Sequence, residues 1–270
     1  MSKTATAPSV PATTSDSNKS IAVASDLHSR MEAMASEGFE NVTAKDLLIP
    51  RIAILQSLSP QVIKSKPEFM PEAKVGDICD VGLQELIDQP LIFVPVYYMK
   101  QYLEWAPRAS GKGLVKIHDT AEVLEHAKSD ERNRPVLANG NYIAETAQIY
   151  GLNVSADLRK SFIAMSSTQL KKARRWMTLA TSEKLKRKDG SEYTPALFYR
   201  SYKLTTVTES NNDGTWEGWK IERGDAIEDM ERSERIFNDA VDLRDAIKQG
   251  RVKADLDSIA RDDSSSSEKM

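Results

Sequence analysis

The pattern that most restricts the fold of this chain lies between Ala196 and Ile221. Ala196 to Val207 is a long run of aromatic and β-branched residues, Trp216 to Ile221 is a second, and Asn211-Asn212-Asp213-Gly214 stands between them. β-formers on both sides of an Asn/Asp-Gly cluster predict a hairpin. Alternation from Leu197 to Leu204 puts Tyr199 and Lys203 on one face and Phe198, Tyr202 and Leu204 on the other. One face is then expected as core and the other as a platform.

Further strands are expected upstream. Leu47 to Leu55 is a Leu- and Ile-rich run, Val75 to Val81 alternates apolar with polar or small residues, and Leu91 to Tyr98 is a β-former run interrupted by Pro95. A proline cannot donate to a ladder, so Pro95 marks an edge or a bulge. Asn141 to Tyr150 and Ser161 to Met165 add two more, and Ser166, Ser167 and Thr168 offer N-caps for a helix from Gln169 to Ala180. On that helix Leu170, Ala173, Met177 and Ala180 form an apolar stripe, leaving Lys171, Lys172, Arg174 and Arg175 to face outward. The pattern predicts an α+β fold with a mainly antiparallel, OB-like curled sheet and flanking helices.

Composition divides the chain into five parts. Residues 1–20 are Ser, Thr, Ala and Pro with almost no large apolar side chain, and are expected as a disordered arm. Residues 21–45 hold an amphipathic helix and linker, with Ile21, Val23, Leu27, Met31 and Met34 near helical spacing. Residues 46–224 form the β-rich core, 225–250 a C-terminal helix and 251–270 a polar tail.

Little points to catalysis. His28, His118 and His126 are scattered and are expected at the surface, and Cys79, the one cysteine, is expected as a small core residue. There is no zinc-ligand spacing and no GxSxG elbow, and Ala109-Ser110-Gly111-Lys112-Gly113 lacks the phosphate-loop pattern. A non-enzyme without cofactor follows as the expectation. A single cysteine and the absence of a signal-like or membrane-spanning apolar run favour a cytoplasmic protein without membrane insertion.

The formal net charge of −3 argues globally against a nucleic-acid ligand, but the charge is unevenly spread. From Arg159 to Lys203 there are twelve cations against three acids, whereas Asp225 to Met270 holds thirteen acids and eight bases. Aromatic residues are interleaved with the basic region. Single-strand binders need that combination, because cations follow the phosphates and exposed rings stack on unpaired bases. The candidate contacts are Lys171, Lys172, Arg174, Arg175, Lys186, Arg187, Lys188 and Lys203 for phosphates, with Tyr199, Tyr202, Trp216 and Trp219 for bases. A basic helix face that is merely solvated, and rings that are merely core, are the competing interpretation.

The strings IPRIAILQSLSP (Ile49 to Pro60), VPVYYMKQYLEWAPR (Val94 to Arg108) and MSSTQLKKARRWMT (Met165 to Thr178) resemble those of a family of tailed-phage early-region proteins taken to be single-stranded-DNA-binding replication proteins. The resemblance covers about residues 45 to 225 and implies coating of single-stranded DNA during phage replication or recombination, in the host cytoplasm, on an OB-like fold. It also implies recruitment of replication or recombination proteins through an acidic C-terminal segment, and a homo-oligomer is compatible with it. Such tails often end in an aromatic residue, whereas this chain ends Glu268-Lys269-Met270. Two other classes stay open: a virion or assembly protein without catalytic activity, and a nuclease whose site leaves no local motif.

Overall fold

The computed structural model describes residues 26–35, 37–42, 48–131, 133–212, 214–256 and 259. The chain divides into two units, residues 1–43 and 44–270. In the first, residues 26–33 are helical (α1), and Leu27, Met31 and Met34 are exposed. Ile21, Val23 and the arm expected over residues 1–20 lie outside the described residues, as do residues 260–270 of the expected tail.

The second unit is built on strands β1 (Leu48–Ile49), β2 (Arg51–Ile54), β3 (Ile78–Asp80), β4 (Glu85–Ile87), β5 (Leu91–Trp105), β6 (Leu114–His118), β7 (Lys128–Ser129), β8 (Pro135–Val136), β9 (Tyr142–Asn153) and β10 (Arg159–Ser166). Helix α2 (Leu170–Thr181) follows, then β11 (Leu185–Lys186), β12 (Glu192–Tyr193), β13 (Arg200–Asn211), β14 (Gly214–Ala226), helix α3 (Ser233–Lys248) and β15 (Lys253–Ala254). Eleven strands form one sheet whose main path runs β14-β13-β5-β9-β10-β2-β3-β4. Pro50, which has no N–H to give, separates β1 from β2. β1 leaves the main sheet to pair in parallel with β15.

The sheet is mixed rather than purely antiparallel. β2 and β10 run parallel, with Phe162 opposite Arg51 and Ile163 opposite Ile52, while every other pair in this sheet is antiparallel. Hairpins force antiparallel neighbours, but a pair separated by most of the domain is free to run either way.

The sheet is curled and open, a half-barrel. Residues from distant strands, Ile52, Ile78, Phe93, Ile149, Ile163, Tyr202 and Trp219, meet in one buried cluster with Ala173 and Trp176 of α2. Such a cluster requires the sheet to bend toward that face, with α2 filling the hollow. The opposite face carries Val94, Leu103, Trp105, Tyr150, Leu152 and Phe162 against Ile236, Ala240, Leu243 and Ile247 of α3. On the outer edge of β14, the Gln56 side chain accepts from the Glu217 N–H and donates to the Glu217 carbonyl, both at 2.9 Å. Gln169 accepts from the Trp219 N–H at 3.1 Å. Two side-chain amides thus occupy backbone groups that an open edge would offer to another chain.

Pro95 lies at a bulge. The β5–β9 register shifts between Pro95 and Tyr97, where β13 no longer pairs with β5 and β6 has not yet joined it. The missing N–H therefore costs no ladder bond. The bulge also inverts the alternation: Val94 and Val96 face the α3 side before it, and Tyr97, Met99, Leu103 and Trp105 after it. Opposite, Gly151 lies under the Phe93 ring, where an added Cβ would sit 2.3 Å from the Val94 carbonyl oxygen and 2.5 Å from the ring. Gly151→Ala is expected to cost about 3 kcal/mol through overpacking against backbone that cannot move without breaking the β5–β9 ladder. A lowered Tm checks it; an unchanged Tm would show that the strands separate freely there.

Two local expectations are corrected. Ser166, Ser167 and Thr168 do not cap α2 as a simple N-cap: Ser167–Gln169 forms a 3-10 turn that runs into the helix, and no side-chain cap bond is made at its start. Leu197–Tyr199 is likewise a 3-10 turn, not part of the long strand, and a register shift between Arg200 and Tyr202 follows it. The alternation counted from Leu197 therefore does not hold across Arg200.

Candidate nucleic-acid interface

α2 forms because Leu170, Ala173, Trp176, Met177 and Ala180 recur at helical spacing and fill the curled sheet. Trp176, absent from the stripe counted in the sequence, is its centre, with no exposed surface. Opposite this face, Lys171, Arg174 and Arg175 are exposed. Lys171 and Arg175 make no ion pair among the described residues. Arg174 is 3.4 Å from Glu145, whose carboxylate also holds Lys100 at 2.8 Å. The Lys100 hydrogen bond lowers the Glu145 pKa against the effect of burial, and Glu145 in turn raises that of Lys100.

Lys172 is tied back into the protein. Its ammonium lies 2.8 Å from Glu209, in space that the absent side chain of Gly218 leaves open. Lys172, Arg175 and Lys220 line a cavity of about 280 Å³, together with Glu209 and Glu222. Two acids offset three cations there, so it is a weak anion site by charge alone.

The β11–β12 hairpin follows α2 after only Ser182, Glu183 and Lys184. Its turn uses Gly190 at φ +83°, and Asp189 accepts from the Ser191 N–H at 2.9 Å and hydroxyl at 2.7 Å, bonds that lower the Asp189 pKa. Lys186, Arg187 and Lys188 are exposed on it. The Arg187 guanidinium lies over the Tyr193 ring at 4.8 Å and donates to the Glu192 carbonyl. The hairpin base is anchored: Arg200 donates to Glu183 at 2.7 Å, lowering the Glu183 pKa, and Arg223 donates to the Leu179 carbonyl at the end of α2.

The aromatic candidates divide. Tyr202 (2% exposed) and Trp219 (4%) belong to the core, with Tyr202 edge-on to Trp176 at 5.4 Å. Neither ring has a free face for a base, because the curl turns their side of the sheet inward. Trp216 is half-buried and its indole N–H donates to Glu209 at 3.1 Å. Tyr199 is half-buried, its hydroxyl donating to Glu228 at 2.9 Å. Lys203 is exposed between the buried Tyr202 and Leu204, cross-strand from Glu222. The structure thus brings the α2 cations and the hairpin cations into one covalently continuous stretch, and leaves the β13–β14 aromatics largely out of it.

Two features escape sequence reasoning. The first is an apolar cavity of about 540 Å³ lined by Leu185, Tyr193, Phe198, Tyr199, Ile227 and Phe237, with Glu228, Ser233, Glu234 and Asn238 also on its wall. Phe237 is half-exposed and edge-on to Phe198 at 5.7 Å. Its signal lay in the helix: Ile236, Ala240, Leu243 and Ile247 complete the buried stripe of α3 and leave Phe237 beside it.

The second is a buried polar cluster. Glu104 accepts from Asn141 at 2.6 Å and Asn139 at 3.3 Å, and lies 2.8 Å from His118 Nε2. His118, expected at the surface, is instead part of this cluster. Burial pushes the Glu104 carboxyl up, but these three partners outweigh it and hold its pKa below the ordinary 4.5. Its stabilising contribution is therefore complete above the unfolded value and lost as the pH falls through the folded one. Asp80 acts in the opposite sense: wholly buried, it is raised by desolvation against the Leu83 N–H and Arg159. Glu104→Ala is expected to cost about 1–3 kcal/mol by leaving the amide donors unpaired. Chemical denaturation at neutral and acidic pH checks it, the gap between variant and parent narrowing in acid; a constant gap would contradict it.

Among the described residues no cluster of three or more His, Cys, Asp or Glu is placed to hold a metal ion, and no helix is long and apolar enough to cross a membrane. A model of the Pam3 phage gp34-like protein family matches residues 17–253. No curated protein and no solved structure matches.

Proposed function

The chain belongs to the Pam3 phage gp34-like protein family, and from that phage origin we propose that it is a sequence-tolerant, non-catalytic single-stranded-DNA-binding protein acting in phage DNA replication or recombination in the host cytoplasm. The observation that carries this is the run of exposed cations from Lys171, Arg174 and Arg175 on α2 to Lys186, Arg187 and Lys188 on the next hairpin. Half-buried rings, Tyr193 and Tyr199, flank its far end. Phosphates follow the cations and bases meet the rings at the hairpin end. A curled sheet plugged by a helix is the kind of scaffold on which an OB-like binder presents such a cationic surface, and an OB-like relationship is part of the proposal. The acidic C-terminal segment is then what recruits replication or recombination proteins.

A virion or assembly role is the second reading, favoured by Val115 and Ile117, apolar side chains exposed on β6. Titrating labelled single-stranded DNA, duplex DNA and RNA into the protein at two salt concentrations separates the two. Single strands should bind more tightly than duplex, with affinity falling steeply as salt rises. Equal, weak binding to all three, with co-sedimentation of the protein with particles, would replace the first reading by the second.

A further inference from the structure

We infer that the cavity between the β11–β12 hairpin and α3 is a pocket for one unstacked nucleobase that carries an exocyclic amino group, an inference that rests on the single-strand reading above. At about 540 Å³ it falls within the roughly 300–1,000 Å³ of ordinary small-ligand sites. Four aromatic rings stand on its walls: Tyr193, Phe198, Tyr199 and Phe237. Cations lie over two of them, Arg187 at 4.8 Å from the Tyr193 centroid and Arg200 at 5.8 Å from that of Tyr199, so both rings are held by the protein before any ligand arrives.

An apolar groove by itself would suit many occupants. The neighbouring cavity narrows the choice. Lys186, Arg187, Lys188, Asp189 and Tyr193 line it, so Tyr193 is the common wall of an apolar pocket and a cationic one. A ligand that fills both carries a flat apolar part joined to an anion around the Tyr193 edge, as a nucleotide does. The base lies among the rings and its phosphate meets Lys186 and Lys188.

The choice of base follows from the polar groups on the same wall. One oxygen of Glu228 accepts from the Tyr199 hydroxyl. Glu234 lines the cavity, is exposed and has no hydrogen bond or ion pair among the described residues. An ionised carboxylate only accepts, so it pairs with the exocyclic amino group of cytosine, adenine or guanine and repels the O4 carbonyl that thymine presents where cytosine has its amino group.

Labelled oligo-dC and oligo-dT of equal length, titrated into the full-length protein, test the pocket. Both are flexible pyrimidine strands of equal charge, so phosphate binding and chain stiffness cancel in the comparison. Oligo-dC should bind roughly five- to tenfold more tightly. Glu234→Gln, which offers both donor and acceptor, should bring the ratio near one without weakening oligo-dT. Because Glu234 is exposed, that variant keeps the fold. Equal affinities for the parent protein, or a preference that survives Glu234→Gln, would overturn the pocket while leaving single-strand binding in place. No binding of either oligonucleotide at low salt would overturn both.

Discussion

Trp176→Ala is expected to lower the unfolding free energy by about 3–5 kcal/mol, as for other truncations of a wholly buried aromatic. Trp176 has no exposed surface and meets Phe93 and Tyr202 edge-on at 6.1 and 5.4 Å. It is the side chain by which α2 fills the curled sheet, so its loss opens a cavity between helix and strands rather than at a rim that could collapse. One effect pulls the other way: the indole N–H is buried without a partner among the described residues. Removing it relieves an unsatisfied donor and moves the expected loss toward the lower end of the range. Trp176→Phe, which keeps much of the packing and deletes the N–H, should therefore cost clearly less. Urea titrations check both variants, the midpoint shifting with an unchanged slope. A Trp176→Ala midpoint equal to that of the parent would mean that α2 is not held through this residue.

The second large effect concerns binding. Replacing Lys171, Arg175, Lys186 and Lys188 together by alanine should reduce the salt slope of single-strand binding by about three, from roughly 0.7 per phosphate contact, and affinity near 0.1 M salt by about 10²- to 10³-fold. All four are exposed, so circular dichroism and thermal stability should change little. Lys172→Ala alone should have a smaller effect, because that ammonium is already neutralised by Glu209 at 2.8 Å. An unchanged slope in the fourfold variant would exclude the α2 and hairpin cations as the phosphate track.

Local pattern made the β13–β14 hairpin and α2 legible. Asn211 and Gly214 close the hairpin, and the Asn211 carboxamide accepts the Gly214 N–H at 3.1 Å. Lys171, Arg174 and Arg175 face outward because the positions between them have to fill the sheet, and only Lys172 turns back, to Glu209. Period-2 counting failed where the backbone leaves its period, at the turn Leu197–Tyr199, whereas Pro95 itself announced the bulge in β5. The parallel pairing of β2 with β10 was not legible, since it joins segments more than a hundred residues apart with no turn between them.

The aromatic platform expected from Tyr202 and Trp219 failed for a different reason. Alternation shows that a strand has two unlike faces, but the curl of the sheet decides which face is inside, and curl is set by strands elsewhere in the chain. The cavity at Tyr193 and Phe237 is assembled from the hairpin, the turn Leu197–Tyr199 and α3, so no single stretch of sequence announces it. The polar cluster at Glu104 likewise joins β5, β6 and the loop before β9, which is why His118 looked solitary.

Backbone amide hydrogen exchange, compared with and without a saturating single-stranded oligonucleotide, asks the central question where it matters. Slower exchange confined mainly to residues 170–193, the adjoining turn at 197–199 and the pocket wall at 227–238 is the predicted outcome. Protection that falls instead on β6 or α1, or no change anywhere at saturation, would contradict the placement of a DNA strand along α2 and the hairpin.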